Sequence, residues 1–269
     1  MLVKFYCWWY GRLNLKGAGF FLSKVAHSVP GLQTFPLDVP GVGVIKVDFR
    51  DTSAFVWQNY LLGKKCQEHG LLIAMARYCE PNGVLWDIGA NIGLISAFFA
   101  GADFRLRVIH AFEPNPEIYG RLNCLFSQHP IMHGHNMALS SENSRKQLHV
   151  PIGGSCLGSL DQEFVGGKTA NFTVECYTGD DLLERGLVAP PTVMKIDVEG
   201  HELDVLEGMK NILSKYRPVV FIEHIFMDDT IPLQFAGYSV MTISDDDGTL
   251  LAGFMPEYGH NIALLPIES

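Results

Sequence analysis

The chain has 269 residues, 48% of them hydrophobic, which is enough to bury one large core or one core with a small appendage. Its formal net charge of -9 provides no broad positive field for a phosphate backbone, so the composition disfavours a nucleic-acid substrate and favours a small molecule. No apolar run is long enough to span a bilayer, no secretory signal is recognisable and the six cysteines form no C-x-x-C pair, so we expect a cytoplasmic protein with reduced cysteines.

Residues 1–80 are predicted to form an N-terminal cap, with a hairpin around residues 40–49 and a helix over residues 68–79. Residues 1–37 combine basic and aromatic side chains and hold no acidic residue. Packing of these aromatics on the main domain is the interpretation we favour, since their amphipathic spacing is poor. Contact with an anionic membrane surface is the weaker alternative.

Residues 81–269 are predicted to form the main domain, in which short apolar strands alternate with segments of helical period. This pattern is typical of an α/β fold with a Rossmann-like, mostly parallel sheet. Two last strands, at residues 237–243 and 261–265, are expected to be antiparallel, and an inserted β-hairpin is predicted at about residues 146–178. The predicted main strands are residues 84–87, 108–113, 132–138, 193–197 and 219–223.

A glycine-containing turn follows the first main strand and leads into a helix predicted over residues 94–100. Glycines at such a turn let the backbone approach a ligand closely. Glu113 ends the next strand, where an acid can accept both hydroxyls of a ribose, and the adenine is expected near the end of the third strand. The predicted cofactor-binding residues are Asp87, Gly89, Ala90, Asn91, Gly93, Glu113, Pro114, Asn115, Asn136, Ala138 and Asp197.

The spacing of the two glycines, G-x-x-x-G, differs from the G-x-G-x-x-G of dinucleotide sites, and the chain contains no G-x-x-x-x-G-K-[ST] motif. These features favour a nucleoside without a pyrophosphate, and S-adenosylmethionine is the common one. Asp87 would then hold the amino group of the cofactor or order the water around it.

Methyl transfer to an alcohol needs alignment, a desolvated pocket and a base. Asp197 is the first candidate for the acceptor-orienting group or base. His201 is a second candidate for the base, with an acid such as Asp197 or Glu223 orienting its ring, or else it only caps the loop. The predicted catalytic residues are Asp197, His201, Glu223 and His224.

Strand alternation places Lys195, Asp197 and Glu199 on one side of the fourth main strand. Glu199 and Glu202 precede a helix marked by an apolar face, so we interpret them as groups that fix the loop and start the helix rather than as catalysts. A divalent metal held by this acidic cluster is possible but not expected, because no ligand spacing is diagnostic.

Four ordered motifs resemble the FkbM family of methyltransferases, over roughly residues 45–243. They are Asp-Ile-Gly-Ala-Asn-Ile-Gly at 87–93, Ala-Phe-Glu-Pro-Asn-Pro at 111–116, Lys-Ile-Asp-Val-Glu-Gly-His-Glu at 195–202 with Leu-Glu-Gly at 206–208, and Ile-Glu at 222–223. The resemblance implies a class I S-adenosylmethionine-dependent enzyme that O-methylates a glycan, a sugar-like molecule or a natural product. A minority of relatives methylate amide nitrogen, and the position of His201 varies in the family.

Three alternatives to an O-methyltransferase stay open. The family resemblance also allows N-methylation of a peptide or amide. A methyltransferase-like protein that only binds should have lost the residues of the cofactor loop, yet this chain keeps Asp87, Gly89, Gly93 and Glu113. A nicotinamide-dependent oxidoreductase should carry a Tyr/Lys pair after the glycine loop, whereas the pair Tyr60 and Lys64 precedes it. The sequence leaves the oligomeric state undetermined.

Overall fold

The computed structural model describes residues 28–29, 34–39, 43–48, 68–101, 104–126, 129–151, 158–162, 165, 167–223 and 237–267. A first hairpin pairs strand β1 (Thr34–Val39) with β2 (Gly43–Asp48), so it starts earlier than the hairpin predicted at residues 40–49. Helix α1 (His69–Ala76) lies within the helix predicted over residues 68–79. Most of residues 1–37, including the basic residues that raised the possibility of membrane contact, lie outside the described residues.

In chain order the elements that follow are β3 (Val84–Ile88), α2 (Leu94–Phe99), β4 (Val108–Phe112), α3 (Pro116–Phe126), β5 (Met132–His135), β6 (Ala138–Leu139), β7 (Ser144–Pro151), β8 (Thr169–Tyr177), α4 (Gly179–Glu184), β9 (Val193–Ile196), α5 (Glu202–Glu207), α6 (Lys210–Tyr216), β10 (Val219–Glu223), β11 (Tyr238–Ile243), β12 (Leu250–Ala252) and β13 (Asn261–Pro266). The elements from β3 to β5 alternate between strand and helix as predicted, and the inserted and last strands follow one another directly. No helix in these described stretches is both long enough and apolar enough to pass through a lipid bilayer.

The large sheet has the strand order β12-β11-β13-β10-β9-β3-β4-β5. Strands β10, β9, β3, β4 and β5 are parallel, whereas β13 runs antiparallel to both β10 and β11. This arrangement confirms the predicted Rossmann-like sheet with antiparallel last strands. The strand order reverses between β3 and β9, and in such sheets the ligand crevice lies beyond the carboxyl ends of the strands at that point.

Both faces of the central strands are buried, which explains their continuous apolar runs. All five residues of β3 are buried. Leu85 and Phe221 belong to the core on one face of the sheet, and Trp86 and Met194 belong to the core on the other face. The site residues at the strand ends are therefore held by well-packed elements.

The strand predicted at residues 132–138 is two strands in the structure. Strand β5 ends at His135, and β6 pairs with β8 in a separate three-stranded sheet of order β6-β8-β7. The chain turns at Asn136, whose side-chain amide donates to the carbonyls of Glu113 and Pro114. The inserted hairpin predicted at about residues 146–178 is formed by β7 and β8, which pair antiparallel.

The single helix predicted after Glu202 is also divided, into α5 and α6. Gly208 lies between them, and a Cβ placed on it would be 2.0 Å from the carbonyl oxygen of Ser140. The Gly208 carbonyl accepts from the backbone N–H of Asp180 at the start of α4 rather than continuing a helix. Leu203, near the start of α5, is exposed, whereas Val205 and Leu206 of the same helix are buried.

Candidate active site

The glycine loop folds over the end of strand β4. The backbone N–H groups of Gly89 and Ala90 donate to the Phe112 carbonyl at 3.0 and 2.9 Å. Gly89 has a φ of 77°, and a Cβ on it would lie 1.8 Å from the carbonyl oxygen of Asp197. Only glycine fits this approach, so the loop is locked against the end of β9.

Asp87 is fully buried below this loop. Its Oδ2 accepts from the backbone N–H and the hydroxyl of Ser96, at 3.1 and 2.7 Å, while its Oδ1 is buried without a partner among the described residues. Burial raises the pKa of Asp87, although the Lys195 charge and the Ser96 hydrogen bonds oppose that shift. A buried carboxylate oxygen without a donor is costly, so this atom is an unusual feature of the site.

Glu113 connects the glycine loop to the loop after β4. Its Oε2 accepts from the Asn91 backbone N–H at 2.9 Å, and its Oε1 accepts from the Asn115 backbone N–H at 2.8 Å. Burial raises its pKa to about 7, against the effect of these two bonds. Each oxygen keeps a further lone pair, so the carboxylate can still accept a pair of ribose hydroxyls.

The residues predicted near the adenine are split between two environments. Asn136 is exposed and lies beside Glu113, since its amide donates to the Glu113 and Pro114 carbonyls at 2.9 and 3.1 Å. Ala138 is buried in the core of the small sheet with Leu148. The structure therefore places Asn136, Glu113 and Pro114 together.

Three carboxylates meet at the ends of β9 and β10. Oxygens of Asp197, Glu199 and Glu223 all lie within 4.8 Å of one another. The prediction that Asp197 and Glu199 share a side holds, but alternation is not the reason, because β9 ends at Ile196. Glu199 reaches the cluster through a left-handed turn, with a φ of 53° at Glu199 and 91° at Gly200.

Lys195 places a buried positive charge beside this cluster. Its Nζ lies 2.7 Å from Asp197 Oδ2, and its register partner on β3 is Asp87. Burial alone would lower the pKa of Lys195, but the charges of Asp197, Asp87 and Glu68 raise it overall. Lys195 is therefore a permanent cation surrounded by carboxylates.

Asp197 and Glu223 differ in ionisation. Burial would raise the pKa of Asp197, but the Lys195 charge and a hydrogen bond from Glu223 outweigh it, so that pKa is lowered. Burial, followed by the Asp197 charge, raises the pKa of Glu223 to about 9. At neutral pH the pair therefore holds one proton, on Glu223 and directed at Asp197.

The turn that carries Glu199 is fixed from two sides. The Ser159 hydroxyl donates to the Glu199 carbonyl at 2.7 Å. Glu202 Oε1 accepts from the backbone N–H groups of Val198 and Gly200, at 3.3 and 3.2 Å. The predicted loop-fixing role thus holds for Glu202, whereas the Glu199 carboxylate belongs to the acid cluster.

His201 lies in a different network. Its Nε2 is 2.9 Å from the Ser140 hydroxyl, and its Nδ1 is 3.4 Å from Asp204 Oδ2. The acid beside the ring is therefore Asp204, and the prediction that Asp197 or Glu223 orients it is wrong. Burial lowers the pKa of His201, against the effect of Asp204. His224 lies outside the described residues.

A comparison with known families accounts for this arrangement. The family profile described as "Methyltransferase FkbM domain" matches residues 87–259. The chain belongs to the FkbM methyltransferase family. The match spans the glycine loop, Glu113, the acid cluster and strands β11 and β12, and it ends before β13.

Three individual proteins show how far the similarity extends in sequence and in structure. The hexuronic acid methyltransferase AglP of Haloferax volcanii is 31% identical over 167 residues, which are 60% of this chain and 64% of that protein. The chain thus spans somewhat less than two thirds of that relative. A crystal structure of methyltransferase FkbM from Methylobacillus flagellatus has a TM-score of 0.45 and 14% identity, covering 79% of this chain and 54% of the other. An rRNA methylase from Streptococcus thermophilus has a TM-score of 0.43 and 12% identity, covering 76% and 98%.

Four residues of this FkbM site were not among the predicted catalytic or cofactor-binding residues. Lys195 and Glu199 were visible as alternate residues beside Asp197. Only folding shows that Lys195 pairs with Asp197 and that the Glu199 carboxylate has no hydrogen-bond partner in the described part of the chain. Glu68, at the start of α1, acts electrostatically on Lys195 and Asp197, and burial raises its own pKa. Ser159 lies in the inserted hairpin, 40 residues before Glu199, so its bond to the Glu199 carbonyl could not be read from the sequence.

Asp197, Glu199 and Glu223 lie close enough together for a divalent ion to bridge them. Lys195 occupies one oxygen of Asp197, and Glu223 carries a proton toward the same residue. The cluster thus combines a buried cation with two carboxyls that share a hydrogen bond.

Proposed function

We propose that this FkbM protein transfers a methyl group from S-adenosylmethionine to a hydroxyl of a sugar-like acceptor. The observation that carries the proposal is the convergence of Asp87, Glu113, Asp197 and Glu223 at the carboxyl ends of neighbouring strands, beside a loop closed by Gly89. In open α/β sheets that edge is where a nucleoside ligand binds.

The charges fit a cationic cofactor. Asp87 has a buried oxygen without a donor, and Glu113 keeps lone pairs for a ribose. The excess of carboxylates around Lys195 would repel a pyrophosphate and would attract an ammonium or a sulfonium group. Bound here, S-adenosylmethionine would supply an electrophilic methyl group. Asp87, Glu113 and the loop from Gly89 to Gly93 would hold the cofactor, and Asn136 would lie near its adenine.

The acceptor would lie beside Asp197 and Glu223, at the ends of β9 and β10. A sugar hydroxyl is favoured because the family profile matches most of the site and because the relative AglP is named for a hexuronic acid acceptor. Asp197, kept ionised by Lys195, would accept a hydrogen bond from the acceptor and orient it. His201 would hold the loop that carries these acids. The cytoplasm stays the predicted compartment.

The first experiment is isothermal titration of the protein with S-adenosylhomocysteine and, separately, with NAD, each with and without magnesium. We expect micromolar binding of S-adenosylhomocysteine and none of NAD. Preference for NAD, or binding of neither nucleotide, would contradict the assignment of the glycine loop.

Acceptor class is tested by transfer of radiolabelled methyl from S-adenosylmethionine to three probes: a hexopyranoside, a hexuronoside and a dipeptide amide. We expect label on the sugars and none on the amide. Asp197→Asn should lower turnover much more than cofactor affinity. Equal losses in both would make Asp197 an architectural residue only.

A further inference from the structure

We propose that Glu199 is the general base that removes the proton from the acceptor hydroxyl. The proposal rests on the methyl transfer proposed above and names the residue that performs its proton step. It reassigns a residue whose sequence position indicated only a role in fixing the loop before α5.

The other groups of the site are already engaged. Asp197 Oδ2 is held by the Lys195 ammonium at 2.7 Å, and Glu223 hydrogen-bonds to Asp197. Both ring nitrogens of His201 face partners outside the acid cluster, namely Ser140 and Asp204. Among the described residues, none makes a hydrogen bond or an ion pair with the Glu199 carboxylate. It is thus the acid of the cluster that is free to receive a proton.

The backbone brings that free carboxylate to the cluster at some strain. A non-glycine residue at a φ of 53° is disfavoured by about 1–2 kcal/mol. The turn persists because Ser159 holds the Glu199 carbonyl and Glu202 holds the N–H groups on either side. Strain that is held in place by side chains is characteristic of functional sites.

The ionisation of Glu199 also suits a base. Burial, followed by the negative charges of Asp197 and Glu202, raises its pKa to about 7. A base is most effective when its pKa lies near the working pH. Asp197, with a lowered pKa, is a weaker base, and Glu223 is already protonated at neutral pH.

The step balances within the proposed reaction. The acceptor O–H bond breaks and its proton moves to a carboxylate oxygen of Glu199. The acceptor O–CH3 bond forms as the S–CH3 bond breaks, and the bonding electron pair stays on sulfur. The products are a methyl ether, S-adenosylhomocysteine and a protonated Glu199, which releases its proton to solvent.

The test compares Glu199→Gln with Glu207→Gln, the same change at an exposed position of α5. Glu199→Gln should lower kcat by about 100-fold or more, the usual contribution of a general base, with little change in the Kd for S-adenosylhomocysteine. The wild-type kcat should fall as the pH drops through about 7, because Glu199 takes up a proton there, and Glu199→Gln should lose that dependence. Glu207→Gln should behave as wild type in both respects.

A second variant separates catalysis from folding. Glu199→Gly relieves the left-handed strain, so it should fold, and added formate should restore part of its turnover. The assignment would be overturned if Glu199→Gln kept a near-normal kcat that still fell as the pH dropped through about 7. An activity that requires magnesium bound through Glu199 would overturn it as well. Failure of the wild-type protein to bind S-adenosylhomocysteine would instead overturn the proposed function.

Discussion

Lys195→Met should be strongly destabilising, because it removes the cation that offsets the carboxylates of the site. Lys195 is 5% exposed and has Asp197 and Asp87 among its charge partners. Breaking a buried ion pair by removing one partner reduces the free energy of unfolding by about 3–5 kcal/mol. For a domain of this size that corresponds to a fall in Tm of about 6–20 °C, at about 2–4 °C per kcal/mol.

The loss should depend on pH with a definite sign. The raised pKa of Lys195 means that its stabilisation is complete below the unfolded value of 10.5, so it is constant from pH 5 to 8. Without Lys195, the pKa of Asp197 rises, and the variant gains stability as falling pH lets that carboxyl take up a proton. The difference in stability between wild type and variant should therefore shrink from pH 8 to pH 5.

Urea denaturation followed by circular dichroism at pH 5, 6, 7 and 8 measures this difference. Lys210→Met is the matched control, because Lys210 pairs with Glu207 on the exposed surface and its loss should change stability by less than about 0.5 kcal/mol. A loss below about 1 kcal/mol for Lys195→Met at pH 7, or a loss that is equal at every pH, would refute the charge balance described for the site.

Three further predictions concern single residues of the site and the sheet. Gly89→Ala should abolish S-adenosylhomocysteine binding in calorimetry, because the new Cβ would lie 1.8 Å from the Asp197 carbonyl oxygen, while Gly120→Ala, which meets nothing within 4 Å, should leave binding intact. Burial raises the pKa of Glu113 to about 7, so affinity for S-adenosylhomocysteine should fall between pH 8 and pH 6 as the carboxylate takes up a proton. Glu113→Gln should bind weakly at both pH values, and an unchanged wild-type affinity would count against the ribose contact. Burial and the neighbouring His135 lower the pKa of His110 from 6.5 to about 3. The free energy of unfolding should therefore decrease as the pH falls below 6.5, by about 2 kcal/mol at pH 5, and His110→Gln should show a shallower decrease in urea titrations.

Local sequence signals were sufficient for the sheet and for the glycine loop. Apolar β-branched runs identified the parallel strands because both of their faces are buried, and Gly89 was visible because a close backbone approach requires glycine. Asp87 and Glu113 were recognisable because acids at successive strand ends meet at one edge of such a sheet. The four ordered motifs were specific enough to indicate the FkbM family.

Tertiary contacts decided what these acids can do. Gly208, at the break between α5 and α6, packs against the Ser140 carbonyl, which follows β6 of the small sheet, and no local pattern contains that contact. The long-range partner of His201 is Ser140, and the acid beside its ring is Asp204, three residues further along the chain, rather than Asp197. The ionisation of Asp197, Glu199 and Glu223 depends on burial and on which carboxylate the Lys195 ammonium reaches. Burial and the distances between charged groups on different strands are set by folding. Only the folded chain therefore shows which acid pairs with Lys195, which holds a proton and which has no partner among the described residues.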